Sequence, residues 1–160
     1  MLPCPSSGAS GTLKRGSGLA GTGIGKIKSV TFTGSGPNGD CSGPGGLLFA
    51  LQATDLPWHL NLSSYNAATG AVTGTVSHIQ IMMTGNGCTA VIDGTSGTAS
   101  DGKVRFTYTD STGRLTVLAT SGNLHFWNVS AGCLGLVNSG DRATLSASYT
   151  VTPKQAITSP

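Results

Sequence analysis

The sequence of 160 residues contains no glutamate, and charged residues make up only 9% of it. All six acidic residues are aspartates, and the nine lysines and arginines bring the formal net charge to +3. Glutamate, lysine, arginine, alanine and leucine propagate helices, whereas the abundant glycine and threonine do not. A helical bundle or a doubly wound α/β fold therefore fits this composition poorly. An all-β domain with many tight turns remains.

Long hydrophobic runs are also lacking. No segment approaches the roughly 18 apolar residues of a transmembrane helix, so we expect no transmembrane segment. The start of the chain has neither a basic region nor an apolar one of the kind that a signal peptide needs. If the protein is exported, we expect this sequence to be the mature form, with Met1 added as a start codon. The cations are scattered rather than clustered on one element, which argues against a nucleic-acid partner.

Recognisable catalytic and metal-binding motifs are missing. The sequence has no H-x-H, H-E-x-x-H or G-x-S-x-G motif. Four of the six aspartates, Asp40, Asp93, Asp101 and Asp110, lie in turn-like contexts, where aspartate commonly bonds to nearby backbone. We therefore predict a protein that is not an enzyme and that needs neither metal nor cofactor. A hydrolase with a cryptic Asp/His site is the third hypothesis for its function.

The four cysteines, Cys4, Cys41, Cys88 and Cys133, form no C-x-x-C pair. Zinc sites usually take two ligands from one short knuckle, so this spacing does not favour zinc. An even number of widely spaced cysteines in a polar β-rich chain favours two disulfides and an oxidising compartment. Three pairings are possible, and we favour Cys4–Cys41 with Cys88–Cys133. The predicted localisation is secreted or extracellular.

Turn signals are plentiful, and they separate short alternating runs of apolar and polar residues. There are 25 glycines, 19 serines and 21 threonines. Turns such as Asn86-Gly87 and Asp101-Gly102 recur at intervals typical of a sandwich or barrel. We predict an all-β fold, an antiparallel β-sandwich or flattened barrel of about 8–11 strands with two disulfides.

Three segments carry more detailed predictions. In the strand predicted at 24–33, Ile27 breaks the alternation, which suggests a bulge. The apolar run Leu47–Leu51 is typical of a central strand buried on both sides. Residues 101–128 resemble a three-strand meander.

The chain shows no change of composition that would mark a domain boundary. The glycine- and proline-rich stretch 34–46 resembles a linker, but Cys41 within it would be fixed by a disulfide. We therefore predict one β-domain over 1–160, with an extended N-terminus at about 1–10 and an extended C-terminal tail at about 153–160.

Two strands combine tryptophan with histidine. Alternation places His125 and Trp127 on one face of a strand, opposite Leu124 and Phe126. An exposed tryptophan among polar neighbours suits sugar stacking or protein contact. The predicted contact residues are Trp58, His59, Tyr65, His125 and Trp127.

Several motifs together resemble a family of small secreted proteins of unknown function from Streptomyces and related actinobacteria. They are CSGPGGL at 41–47, LPW at 56–58, SYNAATG at 64–70, GCTAVIDGT at 87–95, GNLH at 122–125 and GCLGLVN at 132–138. The resemblance covers roughly residues 4–160. It implies export, disulfides and a compact β-domain, and it supplies no catalytic residues and no cysteine pairing.

The leading hypothesis is a secreted, non-enzymatic domain that binds a cell-surface glycan or a protein partner through its aromatic and histidine residues. The alternative is an extracellular structural subunit that assembles into a homo-oligomer through its sheet edges, because few charges guard them.

Overall fold

The computed structural model describes residues 4–158 and arranges them in eleven β-strands, with no α-helix among these residues. The strands are β1 Ser6–Leu13, β2 Gly25–Thr33, β3 Cys41–Ser42, β4 Leu48–Thr54, β5 Trp58–Asn66, β6 Ala71–Gly85, β7 Cys88–Asp93, β8 Gly102–Thr109, β9 Arg114–Val117, β10 His125–Trp127 and β11 Ala147–Thr150. They form one antiparallel sheet. The all-β prediction is confirmed.

The predicted extended termini fall partly outside this range, since residues 1–3 and 159–160 are not among the described residues. Residues 6–10 of the predicted N-terminal extension belong to β1, which pairs with β2 from Ser6–Thr33 to Leu13–Gly25. The register shifts between Ser10 and Gly11 and leaves Lys28 of β2 without a partner on β1. This confirms a bulge beside Ile27, as the broken alternation predicted.

β6 organises the sheet because different strands lie beside its two halves. Residues 71–79 pair with β5 and β8, whereas residues 80–85 pair with β4 and β7. β4 and β5 therefore follow one another along one side of β6, and β7 and β8 follow one another along the other side. The segment 55–57 separates β4 from β5, and the segment 94–101 separates β7 from β8. These two interruptions lie at the same level of β6, that is, beside the point where its two halves meet.

The backbone bends at this level. His78 forms a bulge in the pairing of β6 with β8, because Ser77 pairs with Lys103 and Ile79 with Gly102. His78, Asp55 and Ser100 have φ values of 63°, 50° and 49°. Residues other than glycine rarely adopt this left-handed region of φ. Three such residues at one level therefore mark a specific bend rather than irregular loops.

The carboxylate of Asp93 lies at the centre of the bend and is 0% exposed. Its Oδ1 accepts the backbone N–H groups of Gly94, Asp101 and Gly102, at 2.7, 3.0 and 3.2 Å. Its Oδ2 accepts the Ser100 N–H at 2.9 Å and Nε2 of Gln80 at 3.0 Å. The turn role predicted for Asp93 is confirmed, and this one side chain ties the 94–101 loop to β6.

The sheet curls until its two end strands meet. The order runs β11–β9–β8–β6–β5–β2, and β1 lies on the far side of β2. Ser7 Oγ on β1 donates a hydrogen bond to the Tyr149 hydroxyl on β11 at 2.9 Å. Within the described residues, no backbone ladder joins β1 to β11. The result is a barrel that remains open between these two strands.

Both favoured disulfides are present, Cys4–Cys41 and Cys88–Cys133. Cys41, Cys88 and Cys133 are each at most 1% exposed.

No helix in the described part of the chain is long and apolar enough to cross a membrane.

The prediction that Leu47–Leu51 is buried on both sides was wrong. β4 begins at Leu48, and within this run only Phe49 is buried, whereas Ala50 is exposed. β4 packs its Phe49 face against the core, and the opposite face lacks a full covering layer. A continuous apolar run does not reveal how many faces a neighbouring layer covers.

The predicted meander over 101–128 is only half correct. β8 and β9 pair as expected, but β10 pairs with β7, and β11 takes the place beside β9. After β9, the chain does not turn back as a meander would but continues in the same direction along β8, as the bonds Leu118 N–H to Arg105 O and Asn123 N–H to Lys103 O show. β10 therefore pairs with β7 instead of forming the third strand of the meander beside β9.

Candidate functional site

The open barrel encloses a cavity of about 780 Å³. Its floor is formed by side chains that are at most 3% exposed, among them Trp58, Val104 and Phe106. Nearer the opening, Val30, Leu115 and other apolar side chains are only half-buried although they face inward. Inward-facing apolar groups that keep partial exposure show that the protein's own core does not fill this space.

Strand alternation builds the floor. Trp58, Leu60 and Leu62 of β5 face the cavity, and so do Val104, Phe106 and Tyr108 of β8. β6 lies between these strands and carries Gly74, where an added Cβ would come within 2.6 Å of Phe106 Cζ. The missing side chain therefore lets the Phe106 ring lie across β6.

The mouth of the cavity lies between the facing edges of β1 and β11. Every residue of 7–13 and every residue of 148–153 borders the cavity, regardless of which face of its strand it occupies. Inward-facing residues alone would alternate, so the cavity passes out between the two strand edges. The Ser7–Tyr149 hydrogen bond spans this mouth.

The C-terminal tail closes another part of the wall. The Tyr108 hydroxyl donates to Gln155 O at 2.7 Å and accepts the Gln155 N–H at 2.9 Å. The Ile157 N–H donates to Asp110 Oδ2 at 3.2 Å, and Ile157 borders the cavity. Burial raises the pKa of Tyr108, so its hydroxyl keeps the proton that it donates to the tail.

The five predicted contact residues do not form one patch. Trp58 is 3% exposed, and its indole N–H donates to Thr54 O at 3.1 Å, so it lies in the floor of the cavity and not on the outer surface. Tyr65 packs against the core and pairs with the buried Val72. It lies six residues along β5 from His59, which is about 20 Å at the rise of a strand.

His125 and Trp127 do lie together, on the face that alternation predicted. Their ring centroids are 6.3 Å apart, and both side chains are half-buried, while Leu124 and Phe126 are buried behind them. The Trp127 indole N–H donates to Gly94 O at 3.1 Å, and His125 Nδ1 lies 2.8 Å from Asn123 O. These two residues are the part of the predicted patch that the fold brings together.

His59 lies on the outer face of β5 against His78, with ring centroids 4.2 Å apart. Its pKa is lowered from the ordinary 6.5 by desolvation, then by the charge of His78 and that of Lys26. Neither His59 nor His125 hydrogen-bonds to an aspartate in the described residues. The same residues contain no cluster of three histidine, cysteine or acidic side chains that could hold a metal ion.

We expect His78→Gln to raise the pKa of His59 in an NMR titration, because it removes a neighbouring positive charge. In the wild type, the folded state binds fewer protons than the unfolded state between the lowered pKa and 6.5. The contribution of His59 to stability is therefore complete above pH 6.5 and falls as the pH drops through this window. An unchanged pKa of His59 in the variant would show that the two rings do not interact in solution.

The cavity itself was not predictable from the sequence. Alternation identified the inward-facing residues, but nothing in their spacing shows how far apart the opposing walls stand. One signal was available for Trp58, which shares a strand face with Leu60 and Leu62.

In comparisons with known proteins, no family model, no curated protein and no solved structure matches this chain.

Proposed function

We propose that this chain is a secreted, non-catalytic binding domain that holds an apolar ligand inside its open barrel. The observation that carries the proposal is the 780 Å³ cavity, which is lined mainly by apolar side chains and opens between β1 and β11. Ligand sites in proteins typically have volumes of about 300–1,000 Å³ and mostly apolar walls. An apolar space of this kind favours apolar molecules over water.

Secretion rests on the two disulfides, since such bonds persist mainly in oxidising compartments. The resemblance to secreted actinobacterial proteins points the same way and stays a prediction. Neither argument identifies the ligand.

A neutral apolar fluorophore, N-phenyl-1-naphthylamine, tests the cavity. We expect saturable binding of one molecule per chain. Val30→Trp replaces a small side chain on the cavity wall with a bulky indole. It should weaken this binding by about tenfold, because the indole fills space that the probe needs. Leu118→Trp is the matched control, since Leu118 is 40% exposed and does not border the cavity.

Circular dichroism and thermal unfolding establish that both variants are folded. Absence of saturable binding to the wild type would refute the proposal. Equal affinities of the wild type and Val30→Trp would refute it as well.

A second candidate function is glycan or protein contact through His125 and Trp127. It is favoured by the fixed orientation of the Trp127 ring, whose indole N–H is bonded to Gly94 O and whose neighbour is a histidine. A glycan array of the wild type, with Trp127→Ala as the variant and His59→Ala as the control, tests it. Binding that survives Trp127→Ala would remove this candidate.

A further inference from the structure

The strands at the mouth of the cavity carry charges of one sign. The strands β1, β2, β9 and β11, together with the connecting segment 14–24, contain no aspartate. They carry five of the nine cations, Lys14, Arg15, Lys26, Lys28 and Arg114. The remaining four cations share the rest of the chain with all six aspartates. These elements therefore contribute a positive field at the mouth, although the net charge of the chain is small.

Two of these cations border the cavity itself. They are Arg15 and Lys26, both exposed, and among the described bordering residues no carboxylate accompanies them. Lys26 pairs across the sheet with His59 and lies towards the outer face, whereas Arg15 lies two residues beyond the end of β1. A guanidinium suits a carboxylate because it presents several N–H donors in one plane.

The edges of β1 and β11 at the mouth add polar groups. β1 pairs only with β2, and β11 pairs only with β9, so one edge of each strand has no ladder partner within the described chain. Edge N–H groups are free donors, and the half-buried apolar wall begins immediately behind them. The site thus combines an apolar interior with a rim of donors and positive charge.

On the basis of the proposed function, we infer that the ligand is a long-chain carboxylate. Its alkyl chain occupies the interior between β5 and β8 on one side and the half-buried wall on the other. Its head group stays at the mouth, beside Arg15 and the free edges of β1 and β11. Neither an uncharged nor a cationic amphiphile would use this rim fully.

Displacement of N-phenyl-1-naphthylamine by matched ligands tests the inference. Dodecanoate and dodecan-1-ol share a chain and differ in the head group. At pH 8 and low ionic strength, we expect dodecanoate to bind about tenfold more tightly than the alcohol, as expected for one hydrogen bond to a charged group. Added salt should reduce this preference because the rim charges are exposed to solvent.

Arg15→Gln should bring the two affinities close together by weakening dodecanoate binding alone. The double variant Arg15→Gln with Lys26→Gln tests whether Lys26 binds the head group when Arg15 is absent. Lys103→Gln is the control, because Lys103 is an exposed cation that does not border the cavity. It should leave the preference unchanged.

Equal affinities of the wild type for the two ligands would overturn the inference and leave the proposed function intact. A preference that survives in the double variant would also overturn it. If the neutral fluorophore itself does not bind, both the proposed function and this inference fail.

Discussion

Asp93→Asn is expected to lower the free energy of unfolding by about 3 kcal/mol or more. Asn preserves the size of the side chain but replaces one carboxylate oxygen with an NH₂ group. Because the carboxylate accepts five N–H groups, at least two of these donors would then face a donor or lose their acceptor. Each buried donor left without a partner costs about 1–3 kcal/mol.

The effect should reach beyond the 94–101 loop. Gln80, which donates to Asp93, accepts a bond from Thr54 Oγ1 at 3.0 Å, and the Ser100 hydroxyl bonds to the carboxylate of Asp55. The network therefore joins β4, β6 and the loop after β7 at the bend of the sheet. Faster amide hydrogen exchange in both interruptions, 55–57 and 94–101, is expected in the variant.

Urea unfolding followed by circular dichroism measures the change. Asp40→Asn is the matched control, since Asp40 is only half-buried and no side-chain hydrogen bond to it is present in the described chain. A loss of less than about 1 kcal/mol on Asp93→Asn would contradict the role assigned to this carboxylate.

Removing the Cys88–Cys133 disulfide is expected to cost about 4 kcal/mol in the Cys88→Ala/Cys133→Ala double variant. The two cysteines are 45 residues apart, so the bond restricts a long loop of the unfolded chain. In the folded state it attaches the turn at Ala131–Cys133 to the start of β7. Both sulfur-bearing residues lie in the core, so their truncation also removes packing.

Denaturant unfolding of this variant beside Cys4→Ala/Cys41→Ala compares the two disulfides. The second bond spans 37 residues, so its chain-entropy contribution is similar, but Cys4 is only half-buried and less packing is lost. We therefore expect the Cys88–Cys133 variant to be the less stable of the two. The reverse order would show that the N-terminal attachment of β1 contributes more than the core does.

The sequence predicts the local features of this fold well. The broken alternation at Ile27 indicated the bulge at Lys28, and the alternation in 124–127 placed His125 and Trp127 on the outer face. Both features depend on neighbouring residues along one strand, which is the information that periodicity contains. The consecutive pairing of the cysteines was also predicted correctly.

Features that depend on distant segments were not predictable in the same way. β10 pairs with β7 because the chain continues along β8 after Val117 instead of turning back beside β9, and no spacing within 101–128 indicates that course. The cavity depends on the distance between walls contributed by several strands, including β1, whose serines and glycines show no alternation. A sequence pattern assigns a side chain to a face, whereas a volume depends on how several faces come together.

The meeting of β1 with β11 also bears on edge-to-edge association of this weakly charged chain. Free strand edges are templates for other chains, and proteins commonly protect them with charged residues, which are scarce here. The long free edges turn towards each other across the mouth, and the edge strands β3 and β10 are only two and three residues long. Phe126 of β10 is further covered by backbone bonds to Gly140 and Asp141. In the described chain, the protection of these edges thus rests on the geometry of the strands and not on charge.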